Sequence, residues 1–365
     1  MYRLALAALA FAPACGRDIG AGPSTGPGVT SVSISSSSTG ETSSATSTSA
    51  GAEDSSEGVA GSSSDIVLDM GLLPDFRLDP PPGCKGKIDF LFLIARTWTM
   101  GTEQDKLLPS LPGFLSTIEA TFPDFDSHIM VANPDGSWPG WNCEVPELCG
   151  TAPHTCDPFA PGYKCGPETW DLIKPCDEAL GAGILFNIGP DSANEPCVLA
   201  GGRRYMVLPG EPEPATAFDC IARVGDSGPA PPMGEALVAA VSPALNAEEG
   251  CNAGFLRSDA LLVVTMITDR EDQESKTSPM DWYDAVVTAK GNPGAVVMLA
   301  IQPQTLVGEP KPNCTYDDGA VSRLQELIEL FPFHDEGDCC AESYVPFFET
   351  AVGRIAEACS SFVPQ

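Results

Sequence analysis

Lys87 to Gly101 reads KIDFLFLIARTWTMG and Asp259 to Glu274 reads DALLVVTMITDREDQE, and these two stretches decide the fold. In each, a run of β-branched and large apolar residues passes without polar alternation into a hydrophilic loop. Strands covered by helices on both faces of a parallel sheet carry that pattern, because neither face meets water. Ser127–Val131 (SHIMV) and Ala295–Ile301 (AVVMLAI) predict further strands, with shorter candidates at Gly183–Ile188 and Arg204–Val207. Between them, Ser110 is placed to cap a helix with Pro112 in its first turn and Leu111, Phe114, Leu115 and Ile118 on one face. Met233–Leu245 reads as a helix interrupted at Pro243. Val321, Leu324, Ile328 and Phe331 mark another by their three- and four-residue spacing, and Phe347, Phe348, Val352, Ile355 and Cys359 mark a last one. Strands alternating with helices predict an α/β fold with a doubly wound, mostly parallel sheet.

Open α/β sheets bind ligands in the crevice outside the carboxyl ends of their strands. Thr97, Thr99, Asp269 and Asp272, far apart in sequence, are therefore expected to converge there. Asp269, Glu271, Asp272 and Glu274 also form an acidic cluster. It lacks the spacing and glycine of an EF-hand loop, which leaves a calcium site or a solvated strand-end loop.

These residues resemble the von Willebrand factor type A domains, in particular the secreted, cysteine-containing versions of myxobacteria and related bacteria. The resemblance runs from roughly Cys84 to Cys359. In that family the first strand ends in Asp-x-Ser-x-Ser, whose side chains hold a divalent cation at the metal-ion-dependent adhesion site; the aligned residues here are Ala95, Thr97 and Thr99. Asp269 matches the later aspartate of the family, and the threonine expected from the intervening loop falls near Gly225–Pro232 (GDSGPAPP), where Ser227 is the available hydroxyl. The resemblance implies a Rossmann-like sheet and a surface binding or adhesion module for a protein or polysaccharide. It also implies a site for magnesium or another divalent cation held by Thr97, Thr99 and Asp269, with Asp272 behind them and a ligand carboxylate completing the shell. Alanine at position 95 removes one carboxylate from a cation that favours them, so the site is degenerate and metal-free recognition is the alternative. Arg96, beside the vacancy, either repels a cation or pairs with Asp269.

Residues Met1–Cys15 (MYRLALAALAFAPAC) place Arg3 before a short apolar run and small residues before Cys15, the layout of an export signal. Cys15 is a candidate lipidation site in a lipoprotein-like box, with ordinary secretion as the alternative. Residues 16–83 are dominated by Ser, Thr, Gly and Ala, with too little apolar surface to offset ordering entropy, and read as a tether. The expected folded domain is 84–365. The sequence predicts an exported protein held at the cell envelope through the lipid, as an outer-membrane or surface lipoprotein.

Nineteen basic residues against fifty acidic ones give a formal charge of -31, which argues against nucleic acid as a partner. Fourteen cysteines indicate an oxidising compartment. Those at 143, 149, 156, 165, 176 and 197 crowd a Pro-, Gly- and Trp-rich stretch without Cys-x-x-Cys pairs, favouring disulfides over zinc. Residues from about 133 to 220 accordingly read as a disulfide-stapled insertion. Within it Trp138 and Trp141 form either an aromatic ligand platform or a small module core. The adjacent Cys339 and Cys340 are expected to take different partners, with Cys314 or Cys359 a candidate for one of them.

GDSGP at Gly225–Pro229 matches the nucleophile loop of trypsin-like proteases, and TAPHTC around His154 their histidine segment. The alternation of strands and helices contradicts a double-barrel protease, and a triad needs a base within reach of its serine. Two readings remain beside binding: a structural envelope protein without a ligand site, and a hydrolase built on the insertion.

Overall fold

In the computed structural model, residues 83–84, 86–137, 172–189, 191–303 and 323–362 are described. The strands are β1 (Lys87–Ile94), β2 (Asp126–Ala132), β3 (Met206–Leu208), β4 (Leu261–Ile267), β5 (Val296–Gln302) and β6 (Phe333–Asp338). They form one sheet in the order β3-β2-β1-β4-β5-β6, parallel throughout except for the antiparallel edge strand β3. The chain winds outward from β1 to β2 on one side and from β4 to β5 on the other. β1 and β4 are neighbours, so the switch point of the topology lies between them, where open sheets form their crevice.

The helices are α1 (Gly101–Leu107), α2 (Leu111–Thr121), α3 (Pro214–Ala222), α4 (Met233–Ala240), α5 (Pro243–Asn246), α6 (Pro279–Lys290), α7 (Arg323–Glu329) and α8 (Val345–Ser361). Every residue of β4 and β5 is buried, as is all of β1 after Lys87, which is why these strands read as continuous apolar runs. Phe114 of α2 stacks on Phe348 of α8 at 4.9 Å between ring centroids, and Phe92 of β1 meets Phe218 of α3 at 5.1 Å. Pro243 separates α4 from α5 because its ring cannot continue the hydrogen-bond ladder; the Ser242 hydroxyl accepts from Leu245 N and restarts the helix. Around α6, Ser278 and Asp281 form a reciprocal cap, and Gly291 closes the helix at φ 79°.

Several expectations are revised. Gly183–Ile188 is not a strand; it contributes one antiparallel bridge, Gly183 to Ala132. The second candidate is shifted and joins the main sheet as β3, so the later part of the supposed insertion belongs to the domain core. Cys197–Cys220 closes a loop within that segment, and Cys176–Cys251 ties it to the turn before β4. Cys359 bonds Cys84, not its neighbours Cys339 or Cys340, and so joins the start of β1 to the last helix; Cys340 is likewise disulfide-bonded. Among the described residues no helix is long and apolar enough to cross a membrane.

Near the amino ends of the strands lies an ionic cluster, buried at Asp89 and half-exposed at Asp126. Arg257 pairs with Asp89 at 2.7 Å and with Asp126 at 2.7 Å, and His128 Nδ1 is 2.9 Å from the Phe255 carbonyl. Burial raises the Asp89 carboxyl to about 6 despite the opposing Arg257 charge, so desolvation outweighs the ion pair. Burial likewise lowers His128 to about 4 and Lys290 to about 8.

Candidate functional site at the sheet switch point

The carboxyl ends of β1 and β4 bring three of the expected site residues together. Ala95 N donates to the Ile267 carbonyl at 2.8 Å, prolonging the β1–β4 pairing past both strands. Met100 N donates to the Thr97 carbonyl at 2.9 Å and folds Thr97–Met100 into a turn ahead of α1. Thr97 Oγ1 then lies 3.2 Å from Asp269 Oδ1 and 3.2 Å from Thr99 Oγ1. A hydroxyl has one proton to give. With Thr97 donating to the carboxylate, Thr99 donates to Thr97, and the three side chains form a chain that ends on Asp269. Thr97 and Asp269 are buried, at 1% and 3% exposure.

Asp272 does not join them. Its carboxylate accepts from Gly234 N at 2.8 Å, Ser275 N at 2.9 Å and Ser275 Oγ at 2.7 Å, so it holds the start of α4 against the loop after β4. Of the remaining acids in that loop, Glu271 accepts from Arg323 N at the start of α7. Trp138, Trp141 and Cys15 lie outside the described residues.

Arg96 also departs from expectation. It neither faces a cation position nor pairs with Asp269. Its guanidinium grips both oxygens of Asp135, at 2.7 and 2.5 Å, and donates to Asn187 Oδ1 at 3.1 Å and to the Ser137 carbonyl. Arg96 and Asp135 side chains are both 0% exposed. Gly228 covers the pair: its N donates to the Arg96 carbonyl at 2.6 Å, and a Cβ there would stand 2.5 Å from Arg96 Cγ and 2.8 Å from Asp135 Oδ2. The GDSGP string is thus a close-packed cover over a buried ion pair. Ser227 Oγ is buried with no hydrogen-bond partner among the described residues and takes no part in the Thr97–Asp269 chain; His154 lies outside those residues.

These residues do not fit a resident magnesium ion. Position 95 presents a buried methyl where the cation wants a carboxylate, the Ser227 hydroxyl of the intervening loop is not engaged with the site, and among the residues expected to hold the ion Asp269 alone is a carboxylate, one oxygen of which accepts from Thr97. Asp338, Cys339 and Cys340 hold potential ligand atoms within 4.8 Å of one another, but the Cys340 sulfur is committed to a disulfide. Burial pushes the Cys339 thiol up to about 12, with Glu103, Asp338 and Asp269 adding to the rise, which suits neither a thiolate ligand nor a nucleophile.

One side chain of the site was not singled out by sequence reasoning. Trp98, between the two threonines, is 74% exposed, and no other large apolar side chain of the β1–α1 loop is. Two carboxylates flank the end of that loop: a Cβ at Gly101 would lie 3.2 Å from Asp191 Oδ2 and 3.4 Å from Asp226 Oδ2. The available signal was local, a tryptophan placed between residues whose side chains turn inward.

No protein-family model matches the chain, and no curated protein sequence matches it. Among solved structures, proximal thread matrix protein 1 from the mussel byssus is similar over 76% of this chain and 50% of that one, with 10% identity and a TM-score of 0.34. The chain spans about half the length of that protein, and a likeness of this degree carries no functional argument.

Proposed function

We propose that the chain is an exported binding module of von Willebrand type A character, whose recognition face is the carboxyl end of β1 and β4 and which works without a resident cation. The observation that supports this is the convergence of Thr97, Thr99 and Asp269 at the switch point of the sheet, from segments 172 residues apart. A fold needs no buried hydroxyl–carboxylate chain at that place, whereas ligand sites of open α/β sheets form there. The three disulfides between described cysteines suit an oxidising compartment. A lipid on Cys15 and a tether over 16–83 would then present the module at the cell envelope, to a protein or polysaccharide.

The test is retention of the oxidised full chain on isolated cell envelopes, comparing wild type with Asp269→Ala. Saturable retention lost in the variant is expected. Equal retention of both proteins would move recognition away from the strand ends, and no saturable retention of either would favour a structural envelope protein.

A further inference from the structure

We infer that the partner of this face is a basic protein segment, one arginine or lysine side chain of which lies over the indole of Trp98. This rests on reading the strand ends as the recognition face and adds the chemistry of the ligand. Trp98 holds its indole 74% exposed in the loop between β1 and α1. The loop does not fray around it: the Thr97 and Thr99 hydroxyls bind inward, Met100 N closes the turn, and Arg96 is locked to Asp135. The indole is therefore held ready, which lowers the entropy lost when a partner lands on it.

The charge beside it selects the partner. Asp269 lies at one side of the loop, and Asp191 and Asp226 approach its far end at Gly101. In the loop after β4, Asp269 and Asp272 are buried, while Glu271 and Glu274 reach solvent beside Arg270, in a chain of net charge -31. The cation inside the β1–α1 loop itself, Arg96, is buried and neutralised. A cation is attracted to such a face at long range and to the indole at contact, since the ring quadrupole places negative potential over the plane. An acidic segment is repelled, and a neutral sugar gains nothing from the field. With the cation site failing the fit, the polarity of recognition is the reverse of that expected for a metal-completed site, which takes a ligand carboxylate.

The probe is a hexa-arginine peptide titrated calorimetrically into the oxidised full chain, beside hexa-glutamate and a neutral hexasaccharide. Trp98→Ala and Trp98→Phe leave the protein charge unchanged, so they separate stacking from diffuse attraction. Saturable binding of hexa-arginine is expected, weakened roughly two- to thirty-fold in Trp98→Ala and less in Trp98→Phe. The inference fails if hexa-arginine does not bind, if Trp98→Ala binds it as wild type does, or if hexa-glutamate or the sugar binds in preference. Such a failure leaves Asp269-dependent retention on envelopes intact as a separate result.

Discussion

Replacing Asp135 by alanine should destabilise the domain more than any surface substitution in the same loop. Both partners of the Arg96–Asp135 pair are fully buried, and the carboxylate also accepts from Ser137 N at 2.8 Å and Ser137 Oγ at 2.7 Å. Its removal leaves a guanidinium in a dry interior with only neutral acceptors, Asn133, Asn187 and Ser137, around it. Breaking a buried pair from one side costs about 3–5 kcal/mol. For a domain of this size each kcal/mol moves the midpoint by about 2–4 °C, so the melting temperature should fall by roughly 6–20 °C. Far-ultraviolet circular dichroism of the oxidised protein on heating reads this directly. The double variant Arg96→Met, Asp135→Leu supplies the control: with both charges gone, it should be more stable than Asp135→Ala. A loss under about 1 kcal/mol in Asp135→Ala, or a double variant weaker than the single, would refute the assignment of a dry, mutually dependent pair.

Three further outcomes follow from the packing and the buried charges. Asp89, raised to about 6, holds its proton in the fold where the unfolded chain loses it near 3.8, so its contribution to stability falls as pH rises through that window; His128, lowered to about 4, acts in the opposite sense between 6.5 and 4. The two nearly cancel in wild type, and His128→Gln should therefore gain stability relative to wild type on acidification from pH 6 to 4, by up to about 3 kcal/mol in urea titrations, whereas parallel profiles would contradict the opposed shifts. Gly234→Ala places a methyl 2.1–2.4 Å from ring atoms of the buried Trp282, whose Nε1 is bonded to Thr277 Oγ1 and whose ring carries Arg323; a cost of about 1–3 kcal/mol is expected by chemical denaturation, and neutrality would show that the ring can yield. Changing Cys84 and Cys359 together to alanine frees a crosslink spanning 275 residues, worth on the order of 5 kcal/mol in the chain-entropy account, and an unchanged denaturation midpoint would count against it.

The central strands were legible because burial on both faces leaves a mark in composition. β1 and β4 lie within the two stretches that predicted them, and β5 is shifted by one residue. β6 was invisible: FHDEGD has no apolar run, since an edge strand needs backbone pairing on one side and tolerates charge along it. α1 was also missed, a short polar helix without a repeating apolar face. At the site, Thr97, Thr99 and Asp269 could be placed together because strand order puts their segments side by side. Asp272 could not be told from its neighbours, since composition does not reveal that its oxygens are used by Gly234 and Ser275. Nor could Arg96 be assigned, because its partner Asp135 sits on a different loop, reached only through the pairing of β1 with β2.

Calorimetric titration of magnesium, manganese and calcium into the oxidised chain, with Asp269→Ala as reference, tests most directly whether the recognition face operates without a resident metal. No saturable heat beyond that of the variant is the predicted result. Stoichiometric binding that disappears in Asp269→Ala would contradict it and restore a cation to the Thr97, Thr99 and Asp269 site.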